Sequence, residues 1–482
     1  MDERTPEELV PPQEHSAGPV RRTKIVCTLG PASEPPGILE QLVRSGMNVA
    51  RLNFSHGTRR SHRRAAERLR NLAEAHRRPV ALLQDLAGPK VRIGEFRDGQ
   101  VELVPGHTFV LTPEEVPGDE TRVSVSYPRL AEEVKPGDPI LLADGAVELR
   151  VEEVSGAEVR CRVVTGGVLS SRKGLNCPSG LRRLPVLGIK DRKDLEVGAE
   201  LGVEYVAVSF VRDAEDIRLV RGVLQQLGSR AAVIAKIETA AAVENFSAIL
   251  DEADGLMIAR GDLSIETPFS RVPVLQKEMI AAANRAAKPV ITATQMLFSM
   301  VQHPHPTRAE VADIANAVLD GSDAVMLSEE TAVGAYPIAA LETMAAVALE
   351  TEQSALYRNR FAATQAPAAR DSREAMARAA AELADQLQAR YLLTITRSGQ
   401  MARLASASLP RAPIVAATPI PATYRRLSLI RGVTPLLLSS SDGDYNGLVA
   451  ESLARIRRWV DDPAEVILLA EDFVRAARLE PE

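Results

Sequence analysis

Short runs of β-branched and aliphatic residues alternate with amphipathic stretches in two parts of the chain. Before residue 86 this pattern predicts strands at 23–29, 48–54 and 80–85, separated by helices at 36–45 and 60–76. The alternation resumes at Lys190 and predicts five more strands, at 205–210, 233–237, 255–259, 290–294 and 324–327. Eight strands that alternate with helices match a closed parallel (β/α)8 TIM barrel, so we expect an α/β fold.

Two other segments depart from this pattern. From residue 94 to 179 there is no helical period, and Val-rich runs broken by Pro-Gly, Gly-Asp and Asp-Gly predict a small all-β module after the third strand. Beyond an Ala-rich stretch at 362–370, further strand and helix patterns predict an open α/β domain. The expected domains are a disordered tail (1–20), a TIM-barrel catalytic domain (21–87 and 180–352), an inserted β-barrel lid (88–179) and a C-terminal α/β domain (353–482).

Composition and charge indicate a globular protein and disfavour several partners. Of the 482 residues, 45% are hydrophobic and 25% are charged. No apolar run reaches the roughly 18 residues of a membrane span, and residues 1–20 lack the apolar core of a signal peptide. Three cysteines without metal-ligand spacing fit a reducing cytoplasm. The net charge of −6 gives no support for nucleic-acid binding, and the Arg-rich segment 59–78 is explained better as a solvated helix face.

Polar residues stand at the ends of six predicted barrel strands, where an α/β barrel carries its functional side chains. They are Arg51, Asn53 and Ser55 (second strand), Asp85 (third), Lys236 and Glu238 (fifth), Asp262 (beyond the sixth), Thr292 and Thr294 (seventh), and Ser328 and Glu330 (eighth). Residues i and i+2 of a strand point the same way. A salt bridge at the barrel rim explains any single pair about equally well, but not the whole set. We therefore predict one site, with two carboxylates for a divalent cation and with Lys and Arg for an anion.

Eight sequence blocks resemble those of the pyruvate kinase family and follow each other in the family's order. They span residues 23–33, 46–57, 236–238, 259–263, 288–296, 306–310, 315–321 and 326–331. The resemblance implies transfer of a phosphoryl group from phosphoenolpyruvate to ADP, and then protonation of the enolpyruvate, so that ATP and pyruvate form. It also implies Mg²⁺ (or Mn²⁺) as cofactor, a cytoplasmic homotetramer, and neither nucleic acid nor membrane as partner.

Carried over residue by residue, the resemblance gives the central side chains their roles. Glu238 and Asp262 would hold the metal ion, because carboxylate oxygens suit hard Mg²⁺. Lys236 would neutralise charge on the transferring phosphoryl group. Arg51 would bind the phosphate of the substrate, and Thr294 would belong to the protonation path.

The resemblance also assigns residues around this centre. Gly261 and Asp262 lie in a loop that would offer backbone N–H groups to the substrate carboxylate. The positions matched to nucleotide binding are Asn53, His56, Arg92 and Lys173. For His56 alone, a capping or core role is the alternative.

A monovalent-cation site is altered in this chain. Many members of the family bind K⁺ through groups that match Asn53, Ser55 and Asp85. Here Leu86 stands where those members have Thr, and Lys90 stands where they have Glu. A tethered ammonium can supply the charge of K⁺, and the pair resembles the potassium-independent branch, so we expect no K⁺ requirement. The alternative is that Lys90 only solvates a hinge.

The C-terminal domain departs from regulated relatives, in which a Thr-x-Ser-Gly-x-Ser/Thr loop binds a sugar phosphate. The possible effector loop is Thr396, Arg397, Ser398 and Gly399, but Met401 removes one hydroxyl. We also expect the Gly-rich closing strand and loop after Phe473 to be absent. Activation by fructose 1,6-bisphosphate is therefore not expected, and another phosphate effector remains open.

Two other functions compete with this hypothesis. A metal-dependent enolate lyase or aldolase shares a barrel with Glu and Asp ligands, but it has no reason to carry the β insertion or Lys236. A non-catalytic regulatory paralogue would lack some of the residues Lys236, Glu238, Asp262 and Thr294, and all four are present.

Overall fold

The computed structural model describes residues 20–178, 180–181, 183–357, 369–439, 445–460, 462–470 and 473–481. The predicted tail (1–20) and the Ala-rich stretch (362–370) lie almost entirely outside these residues. The strands are, in chain order, β1 (Lys24–Leu29), β2 (Val49–Asn53), β3 (Ala81–Asp85), β4 (Gln100–Leu103), β5 (Thr108–Thr112), β6 (Arg122–Ser124), β7 (Pro139–Leu142), β8 (Val147–Ser155), β9 (Glu158–Thr165), β10 (Gly167–Ser170), β11 (Leu175–Asn176), β12 (Tyr205–Val208), β13 (Ala232–Ile237), β14 (Gly255–Ala259), β15 (Val290–Ala293), β16 (Ala324–Leu327), β17 (Tyr391–Ile395), β18 (Ile414–Thr418), β19 (Val433–Leu437), β20 (Ala464–Leu469) and β21 (Val474–Leu479).

Helices connect most of these strands. They are α1 (Ile38–Arg44), α2 (Arg59–Ala75), α3 (Leu130–Glu133), α4 (Ile189–Glu200), α5 (Ala214–Gln226), α6 (Ala240–Glu244), α7 (Phe246–Glu252), α8 (Arg260–Glu266), α9 (Val272–Arg285), α10 (Arg308–Asp320), α11 (Glu329–Ala332), α12 (Pro337–Gln353), α13 (Ser372–Gln386), α14 (Gln400–Ala407), α15 (Pro421–Arg426) and α16 (Tyr445–Arg457). None of the helices in the described ranges is long and apolar enough to cross a membrane.

The barrel closes by parallel pairing in the order β1-β16-β15-β14-β13-β12-β3-β2. Its strands are buried on both faces, as β-branched and aliphatic runs require. Alternate side chains pack into different cores: Val26, Leu83 and Met257 fill the interior, whereas Ile25 and Leu82 pack under the surrounding helices. The predicted (β/α)8 class is confirmed.

Three barrel strands (β2, β12 and β15) end earlier than the sequence pattern predicts, and near the ends of the last two a non-glycine residue has positive φ. β12 stops at Val208 and β15 stops at Ala293. Phe210 and Thr294, the predicted last residues, have φ of 57° and 71° and so cannot continue an extended strand. Both turns lie at the carboxyl end of the barrel, where they redirect the chain around the candidate site.

The segment between β3 and α4 forms the inserted module. It contains a six-stranded sheet in the order β11-β7-β8-β9-β5-β6 and a two-stranded ribbon of β4 and β10. One helical turn, α3, interrupts a region in which the sequence shows no helical period. The first and last segments of the module lie side by side. The Leu175 N–H donates to the Val91 carbonyl at 2.9 Å, and Arg92 forms a β-bridge with Gly174.

The C-terminal sheet has the order β19-β18-β17-β20-β21, and its last pair is antiparallel. A strand does follow Phe473, since β21 pairs with the whole length of β20, but it is not the Gly-rich closing strand whose absence the sequence predicts. Its sequence contains no glycine and only a weak apolar alternation, which explains why the pattern does not reveal it.

A buried carboxylate joins this domain to the lower end of the barrel. Glu204, just before β12, accepts from Arg425 of the C-terminal domain at 2.6 Å and from Arg70 of α2 at 2.8 Å. Its Oε2 also accepts the Leu82 N–H at 2.7 Å. Because the carboxylate is buried and fully paired, this contact holds the two domains in one orientation.

Candidate active site

Three buried charges form a connected group at the carboxyl ends of the barrel strands. Asp85 accepts from Arg51 Nε at 2.7 Å through Oδ2, and its Oδ1 lies 3.3 Å from Lys236 Nζ. Burial alone would raise the pKa of Asp85, but the charges and hydrogen bonds of Lys236 and Arg51 hold it below its ordinary value. Asp85 therefore stays ionised and fixes both cations.

Glu238 lies next to this group and has one oxygen to spare. Its Oε2 is 3.4 Å from Lys236 Nζ, and its Oε1 accepts the Phe210 N–H at 2.7 Å. Oε2 is buried and makes no hydrogen bond. Burial, opposed by Lys236 and reinforced by Asp262, raises the pKa of Glu238 to about 7. A buried carboxylate oxygen without a donor indicates a site that a cation completes.

The charge on Lys236 is secured by the same neighbours. Burial alone would lower the pKa of this lysine, but Asp85 and Glu238 raise it above its ordinary value. Its side chain is 12% exposed. The ammonium therefore remains protonated in the site.

Glu238 and Asp262 fit a divalent ion that also takes substrate oxygens. Asp262 lies in the first turn of α8 and is close enough to Glu238 to raise its pKa. Among the described residues, no three His, Cys, Asp or Glu side chains form a metal-binding cluster. Mg²⁺ usually binds through one or two carboxylates and completes its shell with water and phosphate oxygens, so two carboxylates suffice.

Thr294 and Gly261 contact each other across the strand ends. The Gly261 N–H donates to Thr294 Oγ1 at 2.9 Å, and that hydroxyl donates to the Ala293 carbonyl at 2.6 Å. Arg260, paired with Asp313 at 2.7 Å, also donates to the Thr294 carbonyl at 2.7 Å. These bonds hold a non-glycine residue at positive φ, which indicates a functional position.

The structure separates Thr292 and Glu330 from the predicted convergent set. Thr292 is buried and shares a 2.7 Å hydrogen bond with Ser322, away from the charged group. Glu330 accepts the N–H groups of Leu297 and Ser328 at 3.0 and 2.6 Å and so supports the loop after Thr294. Both residues therefore have the predicted i, i+2 spacing because they stabilise the barrel wall and a loop, and not because they join the charged group.

Sequence reasoning missed two hydroxyls at the ends of the first and fourth strands. Ser209 accepts from Lys236 Nζ at 2.6 Å and donates to the Leu86 carbonyl at 2.8 Å. Thr28 accepts from Arg51 Nη1 at 3.0 Å. A single hydroxyl residue at the end of an apolar strand can indicate a site residue, but it is weaker evidence than a pair of charged residues.

Replacing Ser209 with Ala is expected to lower kcat by roughly tenfold, because Lys236 loses a charge-assisted hydrogen bond that orients it. Ser209→Thr keeps the hydroxyl and is expected to restore most of the turnover. KM for the anionic substrate should change less than kcat if Ser209 only positions Lys236. Steady-state kinetics check this, with exposed Ser270→Ala as the matched control; an unchanged kcat in Ser209→Ala would contradict the positioning role.

The residues matched to nucleotide binding fall into two groups. Asn53 and His56 line a cavity of about 1080 Å³ together with Arg51. His56 is exposed, and its carbonyl lies 2.9 Å from His62 Nε2. Arg92 and Lys173 lie on the inserted module instead, exposed and on adjacent segments, and they do not line that cavity.

The structure brings together only some of the residues of the predicted monovalent-cation site. Asn53 Oδ1 accepts the Ser55 N–H at 3.1 Å, and paired β2 and β3 set Asn53 beside Asp85. Leu86 is buried in the barrel core. Lys90 is exposed at the start of the module, where its Cε would be 3.2 Å from a Cβ on Gly174. Within the described ranges Lys90 makes no ion pair.

The possible effector loop is partly satisfied by its own side chains. The Gly399 N–H donates to Thr396 Oγ1 at 2.9 Å, and the Gln400 N–H donates to Ser398 Oγ at 3.3 Å. The Arg397 carbonyl accepts from Thr423 at 2.7 Å. The loop lies in the C-terminal domain and takes no part in the charged group around Lys236.

Comparisons with known proteins agree on one family over most of the chain. The model of the pyruvate kinase barrel domain matches residues 20–341, and the model of the pyruvate kinase α/β domain matches residues 374–477. Pyruvate kinase 2 of Synechocystis is 46% identical over 87% of this chain and 71% of its own length. The pyruvate kinase of Thermococcus litoralis is 42% identical over 88% and 90% of the two chains. A crystal structure of a pyruvate kinase from Cryptosporidium parvum superimposes with a TM-score of 0.90 at 36% identity, covering 95% of this chain and 96% of that one.

Proposed function

This chain belongs to the pyruvate kinase family, kinases that transfer a phosphoryl group between phosphoenolpyruvate and ADP, and we propose that Lys236, Arg51, Glu238, Asp262 and Thr294 perform this transfer here. The observation that carries the proposal is the buried group of Arg51, Asp85, Lys236 and Glu238, in which Glu238 Oε2 lies 3.4 Å from Lys236 Nζ but accepts no hydrogen bond. The two cations suit a substrate with an anionic group. The carboxylate oxygen without a hydrogen bond suits a metal ion that also binds an oxygen of that substrate.

Glu238 and Asp262 would hold Mg²⁺ or Mn²⁺. When bound, that ion supplies positive charge to the phosphate and carboxylate oxygens of the substrate. Glu238 is suited to this task because Phe210 already fixes its other oxygen, so the carboxylate is oriented in advance.

Lys236 and Arg51 would bind the phosphoryl group. Asp85 holds the two cations through different oxygens, so neither has to reorganise when negative charge spreads over the equatorial oxygens. The planar fork of Arg51 suits the phosphoryl oxygens before transfer, and the compact charge of Lys236 suits the same group while it moves.

Thr294 would face the enolate once the phosphoryl group has left. Its hydroxyl is held between the Gly261 N–H and the Ala293 carbonyl, so its oxygen is fixed rather than rotating freely. A fixed hydroxyl can pass a proton along a hydrogen-bonded path to the substrate. The Gly261 backbone would contact the substrate carboxylate beside it.

The test is stoichiometric. With phosphoenolpyruvate, ADP and Mg²⁺, one ATP should form for each pyruvate, measured by hexokinase-coupled and lactate dehydrogenase-coupled assays. Pyruvate or aldehyde formed without ATP would favour a lyase or aldolase instead, and binding without turnover would favour a regulatory paralogue.

The same reasoning extends to the monovalent cation, for which we propose that Lys90 replaces K⁺. Leu86 supports this because its buried aliphatic side chain supplies no oxygen ligand where relatives place a hydroxyl. Lys90 supports it because its ammonium is exposed and has no competing ion pair among the described residues. Its position beside Gly174 places it at the base of the inserted module.

Turnover is expected to be the same with KCl as with choline chloride at equal ionic strength, since the tethered ammonium is always present. Lys90→Glu should make turnover depend on K⁺, because the site then holds an uncompensated carboxylate. Lys135→Glu, an exposed lysine on the same module, is the matched control and should stay independent of K⁺. An increase in wild-type turnover when K⁺ is added to a potassium-free buffer would contradict the proposal.

The resemblance to the family, rather than the chain's own contacts, supports a proposal on the assembly and the compartment. We propose a cytoplasmic homotetramer, with contacts through the barrel and the C-terminal domain. Light scattering of the purified chain tests the assembly directly, and a monomer at assay concentration would refute it.

A further inference from the structure

One carboxylate contacts both connections between the barrel and the inserted module. Asp191 lies in the first turn of α4 and is buried. Its Oδ1 accepts the Gly88 N–H at 3.2 Å, and its Oδ2 accepts the Gly188 N–H at 3.0 Å. Gly88 lies where the chain enters the module, and Gly188 lies where the chain returns to the barrel. The side chain of Asp191 therefore joins the two connections to each other.

Capping of α4 explains only one of these hydrogen bonds. Gly188 is the N-cap residue of α4, and a side chain in the first turn that accepts the N-cap N–H is a common way to start a helix. The Gly88 N–H belongs to another segment and is not part of the helix. Burial raises the pKa of Asp191, and the N–H groups of Gly188 and Gly88 oppose this rise. Capping needs one oxygen only, so the hydrogen bond to Gly88 indicates a second role for this carboxylate.

Gly88 is packed against the turn that follows β12. Its φ is 68°, and a Cβ there would lie 2.9 Å from both Phe210 Cδ2 and Ser209 Cβ. Only glycine allows the backbone to come so close. The same turn supports the charged group, since Ser209 accepts from Lys236 and the Phe210 N–H donates to Glu238. The entry to the module is therefore in direct contact with the residues that orient the charged group.

The same turn also holds the chain that leaves the module. Arg212 donates to the Leu181 carbonyl at 3.1 Å and to the Leu184 carbonyl at 2.7 Å. Its guanidinium is fixed in turn by Asp216 at 2.8 Å. Both connections thus contact one turn of the barrel, and Asp191 adds a direct link between them.

The residues matched to nucleotide binding lie close to the entry of the module. Arg92 follows Gly88 in the same segment, and the neighbouring Ile93 N–H donates to the Lys173 carbonyl at 3.0 Å. Lys173 is therefore attached to the segment that carries Arg92. A rotation of the chain at Gly88 would move both cations together relative to the barrel.

We propose that Asp191 is a positioning residue, which holds the inserted module at a fixed orientation to the barrel so that Arg92 and Lys173 reach the nucleotide. The inference rests on the proposed function, because these two cations are matched to nucleotide binding only through the family. A module that turned freely on its two connections would lose this freedom whenever a nucleotide bound, and the lost entropy would weaken binding. The hydrogen bonds of Asp191 remove part of that freedom beforehand. Asp191 acts through Gly88 and the module, and not by contact with the substrate.

Hydrogen exchange of the full chain without substrates tests the two hydrogen bonds directly. Asp191→Ala removes both acceptors, and the peptides that contain Gly88 and Gly188 should exchange about tenfold faster. Asp191→Asn keeps one acceptor oxygen and should give an intermediate result. The matched control is Asp371→Ala, which removes a helix cap from α13 in the C-terminal domain, where Asp371 accepts the Glu374 N–H at 2.9 Å. Exchange of both glycine peptides in this control should equal that of the wild type.

Titration with ADP in the presence of Mg²⁺ tests what the contact does for binding. Kd for ADP should rise about tenfold in Asp191→Ala, with the number of sites per chain unchanged, and Asp191→Asn should recover part of the affinity. A merely structural role would instead reduce the number of chains that bind and leave Kd as it is. In steady-state kinetics, KM for ADP should rise more than KM for phosphoenolpyruvate, since the groups proposed for the latter lie at the ends of barrel strands.

Two results would overturn the proposal: unchanged exchange of both glycine peptides in Asp191→Ala, or faster exchange with an unchanged Kd for ADP. Failure of the proposed function gives a different result. A chain that bound ADP but formed no ATP would refute the proposed reaction, whereas weaker ADP binding by Asp191→Ala would still support the positioning role.

Discussion

Replacing Lys236 with Met is expected to lower kcat by a factor of about 10³ or more. Loss of a positive charge that stabilises a transferring phosphoryl group typically has an effect of this size. Methionine keeps the length of the side chain but removes the cation that Asp85, Glu238 and Ser209 hold in place. The effect should fall on kcat more than on KM, because the charge matters most when the phosphoryl group is in transit. Mn²⁺ affinity should stay near that of the wild type, since both metal-binding carboxylates remain.

The matched control is Lys193→Met, which makes the same substitution at an exposed lysine of α4. It should leave kcat, KM and Mn²⁺ binding unchanged. Turnover retained in Lys236→Met would refute the role assigned to this lysine. Loss of both turnover and Mn²⁺ binding would instead indicate that the variant disturbs the whole charged group.

Glu238→Gln is expected to produce a comparable loss by a different route. Glutamine is nearly isosteric and can still accept the Phe210 N–H, but it lacks the charge that binds a divalent cation. Mn²⁺ affinity should fall by about a hundredfold or more, because loss of a residue that only hydrogen-bonds to a metal ligand already costs about 10- to 100-fold. The value of kcat should fall as well. The fold should persist, because the carboxylate's pKa of about 7 shows that the buried charge is held at a cost.

Titration of Mn²⁺ and kinetics over a range of Mg²⁺ concentrations separate these effects. Glu278→Gln, at an exposed acid of α9, removes one charge far from the site and should behave as the wild type. If Glu238→Gln bound Mn²⁺ as tightly as the wild type, Glu238 would not be a metal ligand. If high Mg²⁺ restored full turnover, the residue would serve affinity alone.

The barrel could be predicted from the sequence because its strands are buried on both faces and must therefore be apolar throughout. The same rule makes a charged pair at a strand end conspicuous, which is how Lys236 and Glu238 stand out from their strand. Thr292 shows the limit of the rule, since a hydroxyl at the same spacing bonds to Ser322 inside the barrel wall. Short polar side chains also satisfy hydrogen bonds among buried groups, so this spacing alone does not identify a ligand site.

Other features depend on residues that only the folded chain brings together. A cavity between the barrel and the C-terminal domain, for example, is lined by both Arg221 of α5 and Arg403 of α14, and no local pattern links arginines so distant in sequence. Strand β21 was missed because edge strands are often polar and weakly patterned. The sequence places Leu86 and Lys90 at the predicted monovalent-cation site, but it does not show where the ammonium of such a long, exposed side chain lies.

The adjacent ends of the inserted module have a consequence for how the barrel assembles. β3 and β12 are neighbours in the barrel, with Leu83 opposite Tyr205, although the whole module separates them in the chain. Closing a long flexible loop costs entropy, at about 0.6 kcal/mol for each doubling of its length. Once the module has folded, Val91 and Leu175 are already hydrogen-bonded to each other. For the barrel, the inserted module then acts as a short connection, so a module that folds early lowers the loop-closure cost of pairing β3 with β12.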